Sequence, residues 1–238
     1  MFDERAKEEE YLDQPDCDPE LAAKSYRFME MINRNFGGIR VVRRFLAAEA
    51  ARCKPGSPLR ILDIGSGSCD IPLALSRWGR AHALPLDFTC LEMAGPAARI
   101  ARAKLEQAGD PAVRLLHEDV FAHRPAEPYD YAIGSMCFHH FTQKQILDLV
   151  QKLRGFVREA VLINDLRRSA LASLGARLLL VGTPFGLRHD ALLSIRRGFK
   201  VHELRAGLGQ LDNVSVSVEP ARWFRISAVI RYNQGGHS

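Results

Sequence analysis

The side chains best placed to do chemistry in this chain are carboxylates and glycines at the ends of successive apolar runs. Asp63, Gly65, Gly67 and Asp70 fall in the stretch Leu62-Asp63-Ile64-Gly65-Ser66-Gly67-Ser68-Cys69-Asp70. Glu92-Met93 closes the next run, and Glu118-Asp119-Val120-Phe121 follows the one after. Glycine is needed where a backbone turns sharply or a ligand lies against main chain. A carboxylate at a strand end can accept from both hydroxyls of a ribose. One in the following loop can accept from an adenine amino group, with Val120 and Phe121 bordering the ring. Each acidic loop taken alone is equally well read as a solvated turn. Their order gives them weight, because open α/β sheets bind ligands at one edge, beyond the carboxyl ends of their strands.

The elements that must hold these groups alternate along the chain. Strands are expected at 59–64, 86–91, 113–117, 129–136 and 160–164, and helices at 71–80, 96–108 and 142–153. That alternation predicts a parallel sheet with helical crossovers. Another helix is expected at 166–180 and a short one at 201–208, with a loop-rich, lid-like insertion at about 182–200. Period-two alternation in 214–218 and a β-rich run at 223–232 predict an antiparallel hairpin at the sheet edge, joined through Glu219-Pro220-Ala221-Arg222. Ahead of the sheet, apolar residues at spacings of three and four between Pro19 and Arg52 predict two helices broken at Gly37-Gly38. Residues 1–16 read as a charged, mobile or short helical lead-in, and 54–58 as a turn into the sheet. The expected fold is thus α/β, Rossmann-like, with a seven-stranded mostly parallel sheet, an antiparallel last strand and an N-terminal helical cap. The cap spans 1–54 and the sheet domain 55–238.

Two ligands compete for the glycine loop. A dinucleotide enzyme would place a third glycine where Asp70 stands. The acidic residues would also repel a pyrophosphate, whereas a cationic or zwitterionic ligand such as S-adenosylmethionine would be accepted. The arrangement resembles the class I S-adenosylmethionine-dependent methyltransferases over about residues 55–165, and more narrowly their small-molecule and quinone-biosynthesis members. Residues 61–69 look like the first motif, Glu92 with its following helix like the ribose-binding strand end, Glu118-Asp119-Val120 like the adenine loop, and 129–136 like the fourth strand. The resemblance implies S-adenosyl-L-methionine as cofactor and contacts from Asp63, Gly65, Ser66, Gly67, Asp70, Glu92, Met93, Asp119, Val120 and Ser135. Gly65 and Gly67 would lie against the amino-acid part, with Asp63 supporting the loop or the methionyl ammonium. Asp70 would do likewise or cap the first helix.

In such enzymes the segment after the fourth strand faces the reacting methyl. Here it reads Ser135-Met136-Cys137-Phe138-His139-His140-Phe141. It lacks the acidic-or-Asn, Pro-Pro, aromatic pattern of amino methyltransferases, and Met136-Cys137 is not the Pro-Cys pair of cytosine enzymes. Asn164-Asp165 matches one carboxylate position of metal-assisted catechol-type enzymes but Ser135 does not match the other, so no metal is expected. His139 and His140 are candidate bases for a phenol or enol acceptor, since histidine titrates near neutral pH; the alternative is that they hold the loop. His189, in Arg188-His189-Asp190, is a third candidate. Arg196 and Arg197 are candidate contacts to an acidic substrate group.

These residues point to O-methylation of a small aromatic or polyketide-like hydroxyl, with C-methylation of a quinol-like ring as the alternative. An RNA methyltransferase, a non-catalytic cofactor-binding subunit and a nicotinamide-dependent oxidoreductase are rivals from other classes. The net charge of +5 could suit an anionic partner, but the arginines are scattered rather than striped, so nucleic acid is not the expected partner. The apolar fraction of 47% suffices for a sizeable core. No stretch approaches the roughly 20 apolar residues of a membrane helix, and the charged start does not resemble a secretory segment. The five cysteines show no Cys-x-x-Cys pairing, which fits reduced thiols and a cytoplasmic location. Phe28, Met29, Met31 and Phe36 in the N-terminal helical segment suit a roof over the cofactor mouth, ordinary core packing or a homodimer face.

Overall fold

The computed structural model describes residues 2–14, 17–53 and 56–233. Sequence expectations for residues 1, 15–16, 54–55 and 234–238 lie outside the described residues. Two helices lead, α1 (Pro19–Asn35) and α2 (Gly38–Ala50). Then come β1 (Leu59–Ile64), α3 (Asp70–Ala81), β2 (Leu86–Leu91), α4 (Gly95–Ala108), β3 (Val113–Leu116), β4 (Tyr129–Ser135), α5 (Gln143–Leu153) and β5 (Val157–Leu166). The chain ends with α6 (Ala170–Leu179), α7 (Phe185–Arg197), α8 (Val201–Leu208), β6 (Val214–Ala221) and β7 (Arg225–Tyr232).

The strands form one seven-stranded sheet in the order β3-β2-β1-β4-β5-β7-β6. The first five run parallel, and β7 lies antiparallel to both β5 and β6. β1 and β2 are buried on both faces, as their nearly unbroken apolar sequences require. Strand order reverses between β1 and β4, and the crevice beyond their carboxyl ends is where such sheets take ligands. One face is packed by Ile146, Leu149, Val150 and Leu153 of α5 with Leu204 and Leu208 of α8. The other is packed by Val42, Phe45 and Leu46 of α2 and Ile71, Leu73 and Leu75 of α3.

α1 starts cleanly, because Asp18 accepts from the backbone N–H groups of Glu20 and Leu21 and Pro19 is its first residue. Gly37 separates α1 from α2 with φ of +91°, a conformation open to glycine at no steric cost. The break swings α1 out of the sheet layer and across the crevice. α2 stays against the core. Two hydrogen bonds fix this swing: Arg225 donates to the Phe36 carbonyl at 3.0 Å and to Asn33 Oδ1 at 2.9 Å. Burial pulls the Arg225 guanidinium down to about 10, against the opposing pull of Asp165 and Asp70.

Three sequence expectations are corrected. The segment expected to be loop-rich, 184–198, is the helix α7, with Pro184 as N-cap and Gly198 as C-cap. Its inward face carries Asp190, Ser194 and Arg197 beside Leu187, Leu193 and Ile195, so no apolar stripe announces it. The helix expected from 166 begins at Ala170, because β5 runs on to Leu166 and pairs there with Arg225. In the hairpin, Pro220 and Ala221 pair with Ile226 and Arg225, so the turn is Arg222 to Phe224 rather than 219–222. The charged lead-in, expected to be mobile or a short helix, carries a single helical turn at Tyr11–Asp13 and is tied to the domain: Arg168 donates to the carbonyls of Phe2 and Asp3, and Ala6 N–H to the Arg196 carbonyl. No helix among the described residues is long and apolar enough to cross a membrane.

Arg225→Leu leaves the Asn33 and Phe36 acceptors without that donor. It should lower unfolding stability by about 2–3 kcal/mol, read as a reduced denaturation midpoint with unchanged slope. An unchanged midpoint would show that Arg225 does not anchor α1.

Candidate active site

The loop after β1 turns through two left-handed glycines, Gly65 at φ +63° and Gly67 at φ +55°. A Cβ on Gly65 would stand 2.6 Å from the Cys137 Cβ, so the loop after β4 packs directly on it. The Ser66 hydroxyl donates to the Asp63 carboxylate, and its N–H to the Leu91 carbonyl at 3.1 Å. Glu92 at the end of β2 accepts from Gly67 N–H at 2.7 Å and from Ala94 N–H at 2.8 Å. It thereby ties the glycine loop to the second strand, and each oxygen keeps a lone pair for a further donor. Asp119 folds its own loop by accepting from Phe121 N–H at 2.9 Å. Ser135 Oγ accepts from Asn164 at 2.9 Å.

All ten expected cofactor contacts (Asp63, Gly65, Ser66, Gly67, Asp70, Glu92, Met93, Asp119, Val120 and Ser135) line one cavity of about 680 Å³. Tyr26, Met29 and Asn33 of α1 roof it. Asp70 is the first residue of α3 rather than its cap, which is Cys69, and it accepts from Asn33 of α1 at 3.1 Å. The cavity is electrostatically short of positive charge. Burial pushes the Asp63 carboxyl up to about 7, with Ser66 opposing and Asp70 and Glu92 adding to the shift. Burial also raises Asp70 against the Asn33 hydrogen bond, and raises Glu92 against its bonds from Ala94 and Gly67. A cationic ligand fits this lining. The phosphates of a dinucleotide do not.

A second cavity, of about 540 Å³, adjoins the first, and Glu10, Leu12, Met29 and Met136 line both. It is apolar, walled by Phe28, Ile32 and Phe36 of α1, Leu179 of α6, Leu187 of α7, and Trp223 and Phe224 of the hairpin turn. Met136, at the junction, has φ of +57°, and Trp223 and Phe224 have φ of +59° and +57°. Bulky residues rarely adopt that conformation, and here all three line the apolar cavity.

The candidate bases separate. His139 is buried and lines neither cavity; Asp165 Oδ1 holds its Nδ1 at 2.7 Å, and Asp165 Oδ2 accepts its N–H at 3.0 Å. Burial alone would lower the His139 pKa, but Asp165 and Glu10 outweigh it and hold it up to about 9. His140 lines the cofactor cavity, with its Nδ1 3.1 Å from Asp13. His189 does not reach the site: it sits on α7 against Tyr11 and Phe185, outside the lining of both cavities. Arg196 pairs with Glu8 at 3.2 Å and lines neither cavity. Arg197 lines the cofactor cavity, but it is engaged with Glu10 at 3.9 Å and Asp13 at 3.5 Å.

Residues the sequence did not single out complete the site. Glu10 is 4% exposed, accepts from Ser194 at 2.7 Å and faces His139 Nε2 at 3.6 Å. Arg5 locks the strap that carries it, donating to the carbonyls of His139 at 2.7 Å, Phe141 at 3.0 Å and Arg197 at 2.7 Å. Nothing in Glu8-Glu9-Glu10 distinguishes the third glutamate; only the tertiary course of the strap does.

Residues 61–160 match the family described as Methyltransferase domain. No curated protein matches the chain in sequence. Among solved structures, the chain is similar to the plantazolicin methyltransferase BpumL in complex with a triazolic desmethylPZN analog and SAH. The TM-score is 0.69 at 15% identity, covering 94% of this chain and 93% of that one. It is similar to the magnesium protoporphyrin IX methyltransferase ChlM of Synechocystis PCC 6803 with bound SAM at TM-score 0.55 and 12% identity, over 82% and 78% of the two chains. A putative O-methyltransferase of Nostoc punctiforme PCC 73102 aligns at TM-score 0.61 and 12% identity, over 90% and 60%. Residues 61–160 thus match a methyltransferase domain, set in a fold shared with solved methyltransferases, and the carboxylate-lined edge lies within that stretch.

Two outcomes follow. Gly67→Val puts a branched side chain at a left-handed position on the cofactor face. It should abolish S-adenosylmethionine binding by calorimetry, with a lower melting midpoint but a transition that stays cooperative; unchanged affinity would contradict the loop assignment. Above about pH 7 Asp63 is already ionised. Below it the carboxyl must shed its proton to meet a cation, so affinity for S-adenosylmethionine should fall as pH is lowered, by at most about tenfold per pH unit. A flat profile between about pH 6 and pH 8 would remove Asp63 from the binding charge.

Proposed function

We propose that the chain methylates a hydroxyl of a small, largely apolar aromatic or polyketide-like molecule held in the cavity beneath α1, α6 and α7. The carrying observation is the pairing of two cavities of different chemistry that share Glu10, Leu12, Met29 and Met136. One is acidic and lined by strand ends. The other is walled by Phe28, Ile32, Phe36 and Trp223. When bound, S-adenosylmethionine supplies a methyl group already activated by its sulfonium.

The chain's own residues have to do less than in most catalysis. Asp63, Asp70 and Glu92 supply negative charge for the cation. Gly65 and Gly67 let it lie on main chain, and α1 roofs the site against water. The aromatic wall orients the acceptor, and orientation alone accounts for much of the rate of an in-line displacement. A hydroxyl must still lose its proton. Glu10 and His140 line the cofactor cavity at the junction, with His139 and Asp165 behind them. That cluster is the proton-handling part of the site, and His189 takes no part in it.

The similar structures support a small-molecule or peptide acceptor. One neighbour is a plantazolicin methyltransferase, another acts on magnesium protoporphyrin IX, and a third is described as a putative O-methyltransferase. A set of hydroxylated aromatic compounds incubated with methyl-deuterated S-adenosylmethionine tests the reading. The label is expected on oxygen. Label on ring carbon would favour C-methylation of a quinol-like ring, and label on RNA alone would overturn the small-molecule reading. Ala176→Phe, which intrudes into the apolar cavity, should raise the KM of a converted acceptor about tenfold or more while the cofactor Kd stays unchanged. An unchanged KM would place the acceptor elsewhere.

A further inference from the structure

We propose that Glu10, His139 and His140 form a binding site for one divalent transition-metal ion at the junction of the two cavities. A ligand atom from each residue lies within 4.8 Å of the other two. The sequence argued against a metal because Ser135 could not serve as a ligand after the fourth strand. The strap supplies a carboxylate that sequence spacing could not reveal, since Glu10 stands far from the histidines along the chain.

Three geometric facts support the site. The first is the gap between His139 Nε2 and Glu10 Oε1, 3.6 Å. That is too long for a good hydrogen bond. Two ligand atoms each about 2.0–2.1 Å from a tetrahedral ion stand about 3.4 Å apart, so the gap suits a shared ion. The second is that His139 Nε2 is fully buried with no hydrogen-bond partner, although the residue is only 3% exposed. A buried polar atom of this kind calls for an explanation.

The third fact concerns how the rings are held. Asp165 holds Nδ1 of His139 at 2.7 Å, and Asp13 holds Nδ1 of His140 at 3.1 Å. A carboxylate on one ring nitrogen orients the imidazole and presents the other nitrogen, which is the usual support of a histidine metal ligand. The two rings stand 4.3 Å apart between centroids and are tilted by 37°, so adjacent residues offer both to one point.

Charge permits an ion here. Glu10, Asp13 and Asp165 supply three carboxylates, against the guanidiniums of Arg197 and Arg5. Two imidazoles and one carboxylate select zinc-, iron-, cobalt- or manganese-like ions over magnesium and calcium, which prefer all-oxygen sets. The strap closes the site: Arg5 pins it, and Ser194 holds the second valence of Glu10 Oε1 at 2.7 Å. Positions left open on the ion would face the cavities that Glu10 lines. The chemistry such an ion supplies beside an acceptor hydroxyl is Lewis-acid polarisation, easing loss of its proton to water. That use rests on the acceptor reading given above. The binding of the ion does not.

The test uses the full chain, stripped with a chelator and dialysed. Zinc chloride is titrated by calorimetry, and cobalt(II) chloride by visible absorption. The expected result is about one ion per chain, with a cobalt spectrum free of thiolate charge-transfer bands. Stoichiometric binding should be lost in Glu10→Gln and in His140→Ala, and weakened about 10–100-fold in Asp165→Asn. No binding by the parent chain would overturn the proposal. So would binding that survives unchanged in both Glu10→Gln and His140→Ala, or cobalt held by thiolate, which would assign the ion to cysteines. Metal binding without methylation of hydroxylated aromatics would sink the acceptor reading alone. Methylation without metal binding would sink the metal site alone.

Discussion

A buried edge of negative charge governs this structure. Asp63, Asp70 and Glu92 lie within one cavity at the ends of β1 and β2 and the start of α3, and burial raises the pKa of all three. Backbone N–H groups, Ser66 and Asn33 supply hydrogen bonds but no full positive charge. The cations nearby are committed elsewhere: Lys104 of α4 to Glu30 at 2.7 Å, Arg197 to Asp13 at 3.5 Å, and Arg225 to Asn33 and the Phe36 carbonyl. Such an edge costs folding free energy when uncompensated. A positively charged ligand would relieve that cost, and an anionic coenzyme would add to it. The glycine loop follows from the same constraint, since the cation must lie against main chain to reach all three carboxylates.

The N-terminal region turns this edge into an enclosed site. α1 crosses the crevice because Gly37 lets the chain turn and because Arg225 and Asp70 grip Asn33 and Phe36. The strap before α1 runs over the far side, anchored through Arg5, and delivers Glu10 and Asp13 to the histidines after β4. Two cavities result from one roof. Tyr26, Met29 and Asn33 look onto the acidic one, and Phe28, Ile32 and Phe36 onto the apolar one. A single helix thus borders both cavities, with Met29 common to the two.

What the sequence disclosed and what it hid separate along physical lines. β1 and β2 were legible to the residue, since buried parallel strands read as mainly apolar runs, broken here only by Arg60 and Asp63 in β1 and Asp87 and Thr89 in β2. That the expected cofactor residues would share one cavity was legible for a related reason: they sit at fixed offsets from strand ends, and local order brings them together. α7 was not, because Asp190, Ser194 and Arg197 turn inward to serve the strap and erase the apolar stripe. His189 was misplaced with it. Glu10 and Asp165 were hidden more deeply, since their meaning arises from contacts across 129 and 26 positions of chain to His139. Long-range polar contacts leave no periodic trace, so that half of the site emerged only from the fold.

The central claim is that the sheet edge is built for a positively charged sulfur donor. Side-by-side calorimetry of the full chain with S-adenosylmethionine and with NADH tests it most directly. The account predicts saturable heat with the sulfonium compound and none with the dinucleotide. Saturable binding of NADH with no heat from S-adenosylmethionine would contradict it.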